Sequence, residues 1–256
     1  MISLKSQVEI AEMREAGRIV ARAHQALREM IRPGVTTAAL NARADEIIRE
    51  HGAIPTFLGY PHTGKNDFPA SICTSINEVL VHGIPSQRRW LEAGDIISID
   101  VGATYRGWVG DSAWTYAVGA IDAVSQRLLE ATEGGLWAGI AAARVGSRLG
   151  DISAAVEAYV AARKFAVVRE YTGHGVGRKM HEDPQLLNYV PRGAGRGPRL
   201  QAGMTLALEP MVNAGSWRTR TLADGWTVVT LDGKRSAHFE HSIAITEDGP
   251  QILTLL

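Results

Sequence analysis

The chain has 256 residues, enough for one large hydrophobic core or for two smaller halves that share one. Its hydrophobic fraction of 45% and charged fraction of 21% are ordinary for a globular protein, and equal numbers of basic and acidic residues exclude a global field drawing it to nucleic acid or anionic lipid. Cys73 is the only cysteine, which excludes an internal disulfide and a thiolate zinc cluster and fits a reducing compartment.

The opening stretch, "MISLKSQVEIAEMREAG", is charged throughout and lacks an apolar signal region. No apolar run approaches membrane-spanning length, so the expectation is a soluble cytoplasmic protein without membrane contact. Residues from about Gln7 to Ile31 read as a helix, with Ile10, Met13, Ile19, Val20 and Ala23 near helical spacing. Pro33-Gly34 stops it, and Thr36 or Thr37 can cap a second helix running toward His51-Gly52. A loop rich in Gly, Pro and Asn follows, "LGYPHTGKNDFPAS", then an extended segment through "SICTSINEVLVHGIP". "DIISIDVGATYRGWVGDSAWTYAVG" reads as two strands around a glycine-containing turn. A second helical pair covers roughly Ile121 to Arg163, interrupted near Gly146 to Gly150. A strand "FAVVREY", a glycine-rich turn "TGHGVGRKMHEDP" and a hairpin-like region from Leu200 onward complete the chain. The basic loop "PRGAGRGPRL" reads as a solvated loop rather than a polyanion contact.

No linker divides the sequence, and each half runs from two helices to strands, which points to a duplication. "LEAGDIISID" (91–100) aligns without gaps on "LQAGMTLALE" (200–209), and a carboxylate closes both. Met204, Leu206 and Leu208 share one face of a strand spanning 204–212, while Glu209 falls on the other with Thr205 and Ala207. Asp100 likewise shares its face with Ser98 and Gly102. A second acid follows on a returning strand in each half, Asp111 alternating with Ala113 and Thr115, and Glu240 with His238 and Ser242. A lone carboxylate near a strand end is ordinarily solvated or capping. Four of them converging from two halves cannot share an interior unless some hold protons or cations sit between them. Two divalent cations would balance four carboxylates, with His174 in "TGHGVGR" as the imidazole candidate. "GHGVG" lacks the spacing of a dinucleotide loop, and neither a Walker motif nor a G-x-S-x-G elbow occurs.

Asp100 and Asp111 in "IDVGATYRGWVGD", His174 in "GHGVGR", Glu209 in "LEP" and Glu240 in "FEHS" resemble the five metal ligands of the methionine aminopeptidases. "NEVLVHGIP" around His82 and "MHEDP" around His181 resemble two further signatures, so the likeness spans nearly the whole chain. The absence of a zinc-binding extension ahead of the first helix, and the short loop between His181 and Glu209, resemble the compact type I bacterial form. The resemblance implies an α+β pita-bread fold: one catalytic domain over 1–256, pseudo-twofold, with halves of about 1–120 and 121–256 and helices covering a curved antiparallel sheet. It also implies two divalent ions (Co, Mn, Fe or Zn) with a monovalent cation nearby. Asp111 and Glu240 would bridge the ions, Asp100 would complete one, and His174 with Glu209 the other. A bridging hydroxide would then attack the first peptide bond of nascent chains that begin with methionine and a small residue. Glu209 would shuttle the proton, His181 would bond the carbonyl oxygen, and His82 would contact the backbone nitrogen of the second residue.

Family position lines the methionine pocket with Phe57, Tyr60, Phe68, Cys73, Met180 and Trp226. This sequence departs from the family at Met180, usually aromatic, at Phe57, often cysteine, in the longer loop "YPHTGKNDF", and at His238, usually glutamine. Cys73 reads as apolar wall rather than nucleophile. The implied state is a monomer, with transient ribosome contact through Arg218 and Arg220 as a further expectation and no nucleic-acid function. The rival readings are a prolidase on the same scaffold and a metal-free binding module. The first usually carries a long extra N-terminal domain; the second has lost ligands that are all present here.

Overall fold

The computed structural model describes residues 1–62, 64, 66–193 and 195–256. Thr63 and Lys65 of the "YPHTGKNDF" loop, and Ala194 of the basic loop, lie outside the described residues.

Helix α1 (Gln7–Met30) starts where the Ser6 hydroxyl accepts from the Glu9 N–H while the Glu9 carboxylate accepts from the Ser6 N–H, a reciprocal cap. Its apolar stripe, including Ile10, Met13, Ile19, Val20 and Ala23, is buried as the spacing requires. Thr36 caps α2 (Thr37–Glu50) by accepting from the Ala39 N–H. Strands β1 (Ile54–Pro55), β2 (Ile72–Ile76), β3 (Val79–Val81), β4 (Ile96–Tyr105) and β5 (Trp108–Ala117) follow, and β4 and β5 form the expected hairpin about Arg106-Gly107. Both turn residues have positive φ, which matches a two-residue turn to the twist of its strands.

The second half repeats the order. Helices α3 (Ala123–Ala142) and α4 (Leu149–Ala162) precede β6 (Ala166–Val167), β7 (Gly173–Gly175), β8 (Glu182–Leu186), β9 (Thr205–Leu208) and β10 (Met211–Asn213). β11 (Thr219–Thr221), β12 (Val228–Thr230), β13 (Ser236–His238), β14 (His241–Thr246) and β15 (Gly249–Ile252) complete it. The two aligned segments enter strands at matching positions, with Ile96 opening β4 and Thr205 opening β9.

Among the described residues the strands pair antiparallel in four sheets: β1-β4-β2 with β5 beside β4, β13-β10-β6, β11-β12-β3, and β15-β14-β9-β7-β8. Each helical pair covers its own half. Ile19, Val20, Leu27, Leu40 and Ile48 pack on Ile97 and Ile99, while Leu136, Val156 and Ile152 pack with Leu206, Leu208 and Ile243. Full burial of each such side chain is worth about 1.5–3 kcal/mol relative to exposure.

The halves meet along β5 and the β13–β14 segment, where hydroxyls replace ladder bonds. The Ser242 hydroxyl accepts from the Asp111 N–H at 3.2 Å and donates to the Asp111 carbonyl at 2.8 Å. Thr115 does the same for His238, accepting from its N–H at 2.9 Å and donating to its carbonyl at 2.8 Å. Ser112 donates to the Glu240 carbonyl at 2.6 Å, and the Glu240 N–H donates to the Ala113 carbonyl at 2.8 Å. Small residues here let two backbones approach within reach of one hydroxyl, and they carry Asp111 and Glu240 to the seam.

Three expectations need correction. The sequence reads residues 165–171 as one strand, but β6 spans only Ala166–Val167 and the chain bends at Arg169 and Glu170, where the Glu170 carboxylate accepts from the Thr219 N–H and hydroxyl. The turn expected over 172–184 contains β7 and the start of β8, so His174 lies within a strand rather than past one. The strand expected over 204–212 breaks at Glu209, since Pro210 has no N–H to give a ladder. Glu240 lies in a similar break between β13 and β14.

Candidate metal centre and active site

Asp100 and Asp111 reach the seam from paired strands: Asp100 stands opposite Ala113 and Asp111 opposite Gly102, a diagonal that puts both carboxylates on one face. Glu209 projects from the break after β9, where Asn188 donates to its carbonyl at 2.9 Å. Glu240 projects from the break after β13. His174 enters on β7 between Gly173 and Gly175; a Cβ at either glycine would collide with the backbone oxygen of Ala207 or Asp183. The glycines therefore allow close backbone approach on both sides of His174.

His174 Nε2 stands 3.4 Å from Glu209 Oε1 and 3.8 Å from Asp111 Oδ2. Ligand atoms of Asp111, His174 and Glu240 lie within 4.8 Å of one another, and so do those of Glu209, His238 and Glu240. His174 Nδ1 donates to the Gly175 carbonyl at 2.9 Å, which leaves the Nε2 lone pair facing the acids. Burial lowers the His174 pKa to about 4, so the ring is neutral at physiological pH. The carboxyl groups of Asp100, Asp111, Glu209 and Glu240 are pushed well above their ordinary values, first by burial. Neighbouring charge adds to this, Asp111 raising Asp100 and Glu240, and Glu209 raising Asp111, while a bond from Glu240 works the other way on Asp111.

One buried oxygen each of Asp100, Asp111 and Glu240 has no hydrogen-bond partner. Buried acceptors without donors, clustered around a neutral imidazole lone pair, fit divalent cations. The donor set of carboxylate oxygens and imidazole nitrogen suits borderline metals as well as hard ones.

These groups lie in a cavity of about 410 Å³, and every residue singled out from the sequence as ligand, catalytic group or pocket wall lines it. A model of metallopeptidase family M24 matches residues 11–247. The chain belongs to that family. It is 56% identical to "Methionine aminopeptidase 1" of Bacillus subtilis over 99% of both chains. It superposes on the crystal structure of methionine aminopeptidase from Thermotoga maritima with a TM-score of 0.95, at 44% identity and covering all of both chains. A prolidase from Pyrococcus furiosus shares the fold alone, with a TM-score of 0.78 at 21% identity; this chain covers 99% of itself and 65% of that protein. The pita-bread fold of these M24 neighbours is the expected one, and the chain is a metallopeptidase, a hydrolase.

The apolar side of the M24 cavity is formed by Phe57, Phe68, Cys73, Met180 and Trp226, with the Phe68 and Trp226 rings edge-to-face at 5.2 Å. Burial and the Asp100 carboxylate opposite hold the Cys73 thiol well above its ordinary pKa, in keeping with a wall rather than a nucleophile. Tyr60, assigned to the wall, also bonds His181 through its hydroxyl, 2.6 Å from Nδ1. The His181 ring lies 4.3 Å from that of His174, centroid to centroid, at the exposed rim. His82 follows β3 with φ +57, in the left-handed region, and its ring lies edge-to-face with those of Tyr171 and Trp226.

His62, Tyr171, Thr172 and Met211 also line the cavity and were missed from the sequence. Tyr171 and Thr172 immediately precede the "GHGVG" motif and Met211 follows "LEP", so motif flanks were the available signal. Of the basic loop, Arg196 is ion-paired with Asp151, and Arg218 stacks on Trp217. Among the described residues no helix is long and apolar enough to cross a membrane.

Proposed function

We propose that this M24 metallopeptidase is a type I methionine aminopeptidase that removes the N-terminal methionine of nascent cytoplasmic polypeptides when the second residue is small. The observation that carries the reading is one cavity in which four acids and His174 stand beside an apolar wall. The close sequence relatives support the methionine specificity, and a soft thioether suits a wall containing Met180 and Cys73.

Asp100, Asp111, His174, Glu209 and Glu240 would hold two divalent ions, drawn from Co, Mn, Fe or Zn, with a monovalent cation nearby. Such ions, when bound, acidify a water toward neutral pKa and offset negative charge on the scissile carbonyl. Glu209 takes a proton from the attacking water and returns it to the leaving amine. The Tyr60 hydroxyl donates to His181 Nδ1, which leaves the Nε2–H free to donate to the carbonyl oxygen as charge builds there. His82 bonds the backbone nitrogen of the second residue. Phe57, Phe68, Cys73, Met180 and Trp226 shed water around the methionine side chain. The two pseudo-symmetric halves act as a single catalytic domain and the chain works as a monomer; any ribosome docking runs through Arg218 and Arg220.

Mass spectrometry of Met-Ala-Ser, Met-Lys-Ser and Ala-Pro-Ser peptides, with metal-stripped protein before and after adding Co²⁺ or Mn²⁺, tests the reading. Metal-dependent loss of methionine from the first peptide alone is expected. Cleavage of the proline peptide only would move the chain to the prolidase branch, and no cleavage with any metal would sink the assignment. Unchanged ribosome co-sedimentation after neutralising Arg218 and Arg220 would remove the docking role.

A further inference from the structure

The Glu209 carboxylate stands between two imidazoles. His174 Nε2 is 3.4 Å from its Oε1, and His238 Nε2 is 3.4 Å from its Oε2 and 3.9 Å from Glu240 Oε2. His238 is only 2% exposed, and its Nε2 is buried without a hydrogen-bond partner. An unpaired buried ring nitrogen is destabilising, so the position calls for an occupant.

The separations identify the kind of occupant. An N–H donating to a carboxylate would sit about 2.7–2.9 Å away and point at it. Donors that share one cation at about 2.1 Å each lie roughly 3.0–3.4 Å apart when adjacent, and farther when opposed. The 3.4 Å from His238 to Glu209 falls in the second range and equals the His174–Glu209 distance, while its 3.9 Å to Glu240 is a wider spacing of the kind His174 shows to Asp111 at 3.8 Å. Thr115 pins the His238 backbone across the seam through both its N–H and its carbonyl, so the ring is presented from a fixed strand end.

We propose that His238 is itself a metal ligand, its Nε2 joining Glu209 and Glu240 to give the centre a second imidazole opposite His174. The proposal rests on the dinuclear reading above and deepens it. Glutamine at this position could donate an amide N–H to a carboxylate but would be a poor nitrogen ligand. Histidine exchanges that hydrogen bond for coordination. A centre with two imidazoles favours Co, Zn and similar nitrogen-seeking ions over Mn more strongly than a centre with one.

The test is X-ray absorption of the Co²⁺-loaded full chain as wild type, His238→Gln and His174→Gln, with bound ions counted by native mass spectrometry. Expected are two ions and two imidazoles per wild-type chain, one imidazole in either variant, and at least a 10-fold loss of Co²⁺ affinity at one site in His238→Gln with a smaller loss for Mn²⁺. Two ions with a single imidazole in the wild type would overturn the role of His238 and leave the dinuclear reading standing. No bound ions would overturn both. The wild-type count decides the question even if a variant fails to fold.

Discussion

His24 illustrates how one residue can tie stability to acid. Its Nε2 donates to the Ser112 carbonyl at 2.9 Å, and in the neutral ring its Nδ1 accepts from the Tyr116 hydroxyl at 3.0 Å. Burial lowers its pKa to about 4. Between the ordinary value near 6.5 and about 4 the unfolded chain takes up a proton that the folded one refuses, so stability falls as pH drops through that window and is unaffected above it. For a partly buried ring the loss is about 1–3 kcal/mol. Urea unfolding from pH 7 to pH 4.5 should therefore show a shallower decline in His24→Gln, with the remaining slope from the other buried histidines. At the cavity, Glu209→Gln removes the proposed proton carrier and is expected to lower kcat by about 10²–10⁴-fold with little change in fold. Tyr60→Phe leaves His181 without the partner that sets its tautomer; steady-state kinetics should show about a 5-fold drop in kcat/KM, the worth of one hydrogen bond.

At the scale of elements, α1 lies directly on β5. A Cβ at Gly110 would stand 2.6 Å from the Gly17 nitrogen and 2.7 Å from the Ala16 carbonyl carbon, both of them helix backbone that cannot yield. Gly110→Ala should lift α1 from the sheet beside Asp111 and cost about 1–3 kcal/mol, read as a lower midpoint in urea with an unchanged slope. Helices and the β4–β5 hairpin were legible in the sequence because their signals are local: a threonine cap at 36 or 37, the 3.6-residue stripe of α1, and a turn with Gly107, whereas the Ser6 cap was not read. The strand breaks at Glu209 and Glu240 were not, because period-two patterning continues through them. What interrupts the ladder is a missing Pro210 N–H in one case and a hydroxyl-mediated contact with a distant strand in the other. The cavity-lining residues were legible through short motifs, whereas the closeness of His238 to Glu209 depends on β13 pairing with β10, which sets His238 opposite Met211 just past the Glu209 break. No spacing in the chain encodes that.

At the scale of the molecule, the site exists only where the halves meet, two of its acids coming from each. Metal stripping should leave secondary structure intact but lower thermal stability, since ions that bind only the folded state stabilise it by about 2.7 kcal/mol at a hundredfold excess over Kd. Calorimetry with and without chelator, at pH 7.5, checks this. The halves are also laced at their ends. The Lys5 ammonium is buried against Glu182 at 2.6 Å and the Lys5 N–H donates to the Gly203 carbonyl at 2.7 Å, while the Leu253 carbonyl fills the space above Gly17. Helix α1 is thus seated by a segment of the opposite half, so amide hydrogen exchange should find α1 and the strands around residue 253 opening together rather than half by half.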